Sequence, residues 1–302
     1  MSAVPESFTK WESADKLIKK RILDHGIFSN KPTEKSVCHV YVTNPQSSKL
    51  SLEQMKNDLH SDIIAESTDK VIVIGEACSV VDRLIERAIE TMSVQERSVL
   101  TLQVPLDSSK SETVLLSIEI ELSSVEFYKR IWEWTPQEKY DTALMYKEKG
   151  VELFKSTRHV DAFHKWSRAC KILITLEPLE EVSEGEKKVL ITEPLLKQIL
   201  DLKLILYNNM AECQLLRENY DHVITLGNKV LNKDTRNVKA LYRIGLAHGG
   251  LKNYEEATNS MKTILTYQPK NMKAQEKFEL YNDKWQASVQ GYKNLVQRMF
   301  KT

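Results

Sequence analysis

Residues 238–269, VKALYRIGLAHGGLKNYEEATNSMKTILTYQP, constrain this chain more than any other stretch. Apolar positions follow a helical period on both sides of Gly249-Gly250 and Asn253, and Pro269 closes the segment. The stretch therefore predicts two short helices joined as a hairpin, broken at the glycine pair and Asn253. Gly245 and Ala257 stand twelve residues apart, and small residues at those places let paired helices approach closely. With Gly245 as position 8 of a 34-residue unit, Leu241 falls at 4, His248 at 11, Ala257 at 20, Met261 at 24, Ile264 at 27 and Pro269 at 32. One such hairpin cannot bury its apolar face alone, so the pattern demands neighbours.

Two earlier copies supply them. Ala211, 34 residues before Gly245, sets the same register in LILYNNMAECQLLRENYDHVITLGNKVL, with Tyr207 at 4, Met210 at 7, Val223 at 20 and a turn at Glu218-Asn219. Gly150 sets it again in MYKEKGVELFKSTRHVDAFHKWSRACKIL, with Leu153 at 11, Ala162 at 20, Trp166 at 24 and Ala169 at 27. That copy lies 61 residues before Ala211 rather than 34, so about 27 residues, roughly Glu177 to Lys203, are inserted. They include the acidic run Glu177 to Glu181, and a lengthened helix on each side would absorb them. The pattern is similar to the tetratricopeptide repeat (TPR), for which three copies are about the minimum of a stable stack. The resemblance implies an all-α superhelix with repeats at about 142–176, 204–236 and 238–270, inside a segment spanning 131–270.

Residues 271–302 then read as one basic amphipathic helix, with Phe278, Tyr281, Trp285 and Tyr292 among Lys273, Lys277, Lys284 and Lys293. Such a helix can be a calmodulin target. Its commoner role, and the one expected here, is to cap the last repeat.

The first 130 residues carry a different period. VCHVYVT (37–43) is β-rich and stops at Asn44-Pro45, KVIVIG (70–75) is an apolar run ending in glycine, and RSVLTLQV (97–104) and TVLLSIEIELSSVE (113–126) read as strands. Alternation from Ile118 to Leu122 predicts one buried and one wet face. Ser79 is a plausible N-cap for a helix over 79–91. ADKLIKKRILDHG (14–26) fits either a strand or a short helix, and 51–66 is ambiguous. Thr135-Pro136 opens the helical half, with proline at the first helical position. The expectation is an α+β chain: an antiparallel β domain of four or five strands and one short helix over 1–130, then an all-α array.

Charge excludes some functions. Lys and Arg total 43 against 42 Asp and Glu, which leaves no net field to draw in nucleic acid or a membrane surface. Cys38, Cys78, Cys170 and Cys213 show no CxxC pairing and no histidine at zinc spacing, so they read as reduced, partly buried thiols. No apolar leader and no run of eighteen apolar residues occurs, which points to a soluble cytoplasmic protein, with the nucleus a second place for it. No glycine-rich phosphate loop, metal cluster or cofactor motif stands out.

The segment VIGEACSVVDRLIERAIETMSVQERSVLTL resembles the core of the FK506-binding immunophilins, with Gly75-Glu76, Met92, Glu96 and Arg97 matching the family layout. NNMAECQLL, KALYRIG and the tail GYKNLVQRMF resemble the repeats of the large immunophilin co-chaperones. An active prolyl isomerase of this family carries tryptophan on its pocket floor. Here Ile85 stands at that position, Asp82 at an apolar one, and the 103–113 loop lacks tyrosine. The resemblance therefore implies a degenerate, catalytically silent domain; the rival is an isomerase with an unusual pocket.

In the repeats the resemblance implies a carboxylate clamp for the C-terminal Asp of a chaperone tail. Lys147, Asn209, Lys239 and Arg243 match its positions, and Val151 replaces an asparagine. Lys239 and Arg243 are four residues apart, on one helical face, and both are expected to be exposed. A terminal carboxylate calls for charge-assisted donors, which these side chains supply. The implied function is a co-chaperone adaptor for the ninety-kilodalton or seventy-kilodalton heat-shock chaperone, with client proteins as further partners. The alternative is a scaffold for another peptide, as in a small-RNA pathway.

Overall fold

The computed structural model describes residues 9–105, 112–177 and 191–300, and the chain forms two compact units, 1–135 and 136–302. Most of the 103–113 loop, and the acidic run after Glu177, lie outside the described residues.

The first unit contains β1 (Lys10–Glu12), β2 (Ile18–Asp24), β3 (Val37–Ser47), α1 (Leu52–Asn57), β4 (Thr68–Val73), α2 (Val80–Ile89), β5 (Arg97–Pro105) and β6 (Thr113–Glu126). They form one antiparallel sheet of order β1-β2-β5-β6-β3-β4. Among the described residues six strands and two α-helices stand where four or five strands and one helix were expected. The additional helix lies in the ambiguous 51–66 segment, where Ser51 and Gln54 cap each other's backbone reciprocally. The 14–26 segment is strand β2. Strand β3 does not stop at Asn44-Pro45: the pair forms a bulge, with Asn44 at φ +50°, and pairing with β6 resumes at Gln46.

The core forms where the inner sheet face meets α2. Val40, Val42, Leu100, Leu102, Ile118 and Ile120 pack against Val81, Leu84, Ile85 and Ile89. Each such side chain contributes roughly 1.5–3 kcal/mol of transfer free energy. The β6 alternation is as its sequence implies, with Ile118, Ile120 and Leu122 inward. Ser79 caps α2 by accepting from the Asp82 N–H at 3.1 Å.

A buried ion pair borders this core. Lys20 of β2 is 4% exposed and donates to Glu96 at 2.7 Å and to the Thr91 carbonyl at 3.2 Å. Glu96 also accepts from Ser98 Oγ and the Ser93 N–H. Those partners offset part of the desolvation, which still holds the Lys20 ammonium below its usual range.

The second unit contains α3 (Pro136–Lys155), α4 (His159–Ile174), α5 (Glu193–Leu216), α6 (Tyr220–Leu231), α7 (Val238–Gly250), α8 (Tyr254–Tyr267) and α9 (Met272–Met299). The helices pair as hairpins α3/α4, α5/α6 and α7/α8, and α3, α5 and α7 run side by side. The turn of each hairpin holds a left-handed residue at the equivalent place: Thr157, Glu218 and Lys252, with φ of 60°, 57° and 63°.

The glycine pair is therefore not the break. Helix α7 runs through Gly249 and Gly250. A Cβ at Gly249 would stand 2.4 Å from the Tyr281 ring, and one at Gly250 would stand 2.3 Å from the Tyr220 ring. Both glycines make room for tyrosines. The position-8 glycines serve close approach as expected: a Cβ on Gly150 would meet the Trp166 ring at 2.3 Å, and one on Gly245 would meet Met261 at 2.6 Å.

Trp166 is 2% exposed and its indole N–H donates to the Lys147 carbonyl at 3.0 Å, so it cannot yield cheaply. Gly150→Ala should therefore destabilise the protein by roughly 1–3 kcal/mol, although alanine is the better helix former. A fall of the urea midpoint at unchanged slope is the expected reading.

The insertion is taken up unequally. α5 has 24 residues against 12 for α6, whereas α4 already ends at Ile174. Of the lengthening expected on both sides, the described residues show the extended α5; residues 178–190 lie outside them. α9 caps the stack with its first half, where Ala274 and Tyr281 pack with Met261 and Ile264. Tyr292, Leu295 and Met299, further along, are exposed.

Candidate functional site

Of the sequence-selected residues, Asn209 of α5 and Lys239 and Arg243 of α7 line one hollow of about 460 Å³. Lys239 is exposed, and Asn209 and Arg243 are half-buried. Lys147 and Val151, one turn apart on α3, are half-buried and do not line this hollow.

Why α7 presents these groups is local chemistry. Asn237 caps the helix, accepting from the Ala240 N–H at 3.1 Å, and its amide donates to Asp234 at 2.9 Å. Lys239 thus sits in the first turn, which contains no acidic residue. The helix dipole is positive there and disfavours a cation by itself. A bound anion would relieve that repulsion.

Arg243 is held more firmly than its sequence suggests. Its Nε donates to Glu212 Oε2, and its NH1 donates to Asn208 Oδ1 at 3.0 Å. Asn208 is buried and its amide donates to the Leu204 carbonyl at 3.2 Å. The Arg243 side chain is only 15% exposed and Glu212 34%. Arg243 is therefore not the free cation expected: crossing between α5 and α7 buries its stem and pairs its head.

Among the residues at or beside the hollow that were not singled out from the sequence are Asn208, Arg236, Asp234 and Glu212. Asn208 adjoins Asn209, and Arg236 sits one residue before the Asn237 cap, with its guanidinium 5.6 Å from the Tyr267 ring centroid. Asp234 accepts from the Arg236 N–H at 3.2 Å. Glu212 faces a neighbouring hollow of about 190 Å³, which also shows Leu215, Tyr242, Leu246 and Lys273. The Asn-Asn pair and the four-residue step from Asn208 to Glu212 were the only local signals.

In the first unit, Ile85 is fully buried in the core and offers no surface to a ligand. Asp82, 1% exposed, accepts from Ser61 Oγ and from the Asp62 N–H at 2.9 Å. Burial raises its carboxyl above the ordinary range, against the lowering effect of Ser61, Asp62 and Ser79. The side chain anchors the 61–62 turn to α2. Burial likewise pushes the thiols of Cys38, Cys170 and Cys213 up to about 12, which leaves them unreactive. Among the described residues no three metal-ligating side chains converge, and no helix is long and apolar enough to cross a membrane.

Sheet, helix α2 and stacked hairpins define the class: an FK506-binding-protein-like N-terminal domain followed by a TPR domain. More particularly, residues 11–127 match the family model of the BDBT FKBP-like N-terminal domain, and residues 135–225 match that of the Bride of doubletime-like TPR domain. Protein Bride of doubletime of Drosophila melanogaster is 24% identical over 297 residues, which cover 97% of this chain and 98% of that protein. The human FK506-binding protein-like protein is 30% identical over 193 residues. That match covers 64% of this chain and 48% of the human one, so the chain spans about half of that relative's length. The crystal structure of residues 1–211 of CG17282 shares the fold, at a TM-score of 0.55 and 22% identity, over 71% of this chain and 97% of that one.

Proposed function

We propose that the chain is a non-catalytic co-chaperone adaptor whose repeat groove holds the C-terminal carboxylate of an acidic chaperone tail. The observation that carries this reading is the meeting of Asn209, Lys239 and Arg243 in one hollow, with Arg236 beside them. Cationic donors on a partly desolvated wall suit a carboxylate, because such charge-assisted bonds are roughly twice as strong as neutral ones. Lys147 would join from α3 as the peptide lies along the groove.

The test is calorimetric titration with the peptide SRMEEVD, the HSP90 peptide bound by the first TPR of Spaghetti (RPAP3). Micromolar binding that is lost when the peptide C-terminus is amidated supports the reading. Binding indifferent to amidation overturns it.

Val151 should make this clamp weaker than one with asparagine there. Val151→Asn should tighten SRMEEVD binding several-fold, as one gained donor worth roughly 0.5–1.5 kcal/mol would. No change would place residue 151 away from the peptide.

The N-terminal domain is proposed to lack isomerase activity. Ile85 is consumed by the core and Asp82 by its turn, so neither serves a prolyl ligand. Turnover of a prolyl tetrapeptide should stay at the uncatalysed rate, and turnover that falls on Ile85→Ala would contradict the proposal.

A further inference from the structure

The clamp arginine already has a carboxylate. Glu212 of α5 holds Arg243 Nε, and Asn208 holds NH1 at 3.0 Å. Arg243 lines both hollows, with Asn208 lining the 460 Å³ one and Glu212 the 190 Å³ one. Two of the five guanidinium N–H donors are therefore spent within the protein. With Arg243 only 15% exposed, its side chain cannot swing into solvent to meet a ligand without leaving both partners.

Resting on the clamp reading above, we propose that Glu212 is a built-in competitor that sets the groove's specificity. By occupying Arg243 it removes the preference for a second carboxylate at the peptide's last residue. The groove then recognises the main-chain terminus through Asn209 and Lys239, and it accepts a neutral C-terminal side chain as well as an aspartate. The physical reason is that a C-terminal Asp brings two negative charges to the groove, and Glu212 adds a third within reach of the same guanidinium. Like charges brought together in a partly desolvated site repel more strongly than in water. To gain Arg243 the ligand must displace a carboxylate of equal charge that is tethered, and therefore at high effective concentration. A neutral last residue faces no such contest.

The experiment compares SRMEEVD with SRMEEVN, which keeps the terminal carboxylate and replaces only the last side-chain carboxylate by its amide. Both peptides are titrated into the full chain, the Glu212→Gln variant and the Glu212→Ala variant. Wild type should bind the two within about twofold of each other. Both variants should bind SRMEEVD about tenfold more tightly than wild type, as one freed charge-assisted donor set allows, with SRMEEVN little changed. Circular dichroism checks that the partly exposed position tolerates both changes.

A wild-type protein that already prefers SRMEEVD by tenfold overturns the proposal, as does an unchanged ratio in both variants; in either case the clamp itself survives. If neither peptide binds any of the three proteins, or amidation has no effect on any, the clamp reading fails and this inference falls with it.

Discussion

Lys239→Glu is expected to weaken SRMEEVD binding roughly 30- to 150-fold while leaving the fold intact. Lys239 is exposed in the first turn of α7 and lines the hollow with Asn209 and Arg243. Reversal removes a charge-assisted donor worth roughly 1.5–3 kcal/mol and sets a carboxylate against the ligand, and each 1.4 kcal/mol is tenfold. The loss should shrink at high salt, because charges at an open groove are screened over about 8 Å at physiological ionic strength. An amidated peptide should lose far less. Reversal at Arg243 is the poorer experiment: a glutamate there would face Glu212 from a side chain only 15% exposed, and loss of folding would imitate loss of binding. Wild-type affinity in Lys239→Glu, with helical content unchanged, would remove Lys239 from the clamp and overturn that reading.

The second large effect concerns stability. Asp82→Ala should cost roughly 2–4 kcal/mol, because it strands the Asp62 N–H and the Ser61 hydroxyl on a turn packed to α2. The cost should depend on pH in a definite direction. Burial raises the folded carboxyl above its ordinary 3.8, so the folded state binds the proton more tightly than the unfolded chain does. Asp82 is then most favourable below about 3.8, and part of its contribution is lost as pH rises through the folded value. The gap in urea midpoint between wild type and Asp82→Ala should therefore widen as pH is lowered across that window. A gap that narrows on acidification would mean that the ionised form is the one the turn prefers.

Asp82 shows how much of a residue's role its sequence position leaves open. Its sequence position marks it only as a polar replacement on a helix that should be apolar. Its partners, Ser61 and Asp62, lie about twenty residues away on a turn whose path the sequence leaves open. Glu212 is a stronger case. It sits on α5 among apolar neighbours, 31 residues from Arg243, and no local pattern joins them. Only the crossing of α5 and α7 brings the two charges together and converts an apparent free cation into half of an ion pair.

Local chemistry was legible wherever it acts within one element. The Ser79 cap, the inward face of β6 and the proline at the start of α3 follow from propensity and period, which concern neighbours in the chain. The 34-residue register fixed three hairpins and the close approaches at Gly150 and Gly245, because stacking repeats the same contacts at the same spacing. It placed the hairpin break rightly at Asn253 but began it too early: Gly249 and Gly250 read as a turn until Tyr281 and Tyr220 are seen to fill the space that a Cβ would need.

The sequence by itself therefore determined the two kinds of architecture and the order of most elements. The tertiary structure alone decided which of the residues selected for the clamp share a hollow, which are already paired, and that Lys147 and Val151 stand apart from the other three. The reason is the range of the forces. Capping, helical period and strand alternation are written over a few adjacent residues. The state of a charge is set by whatever lies within a few ångströms in space, and in a stack of hairpins that neighbour is some thirty residues distant.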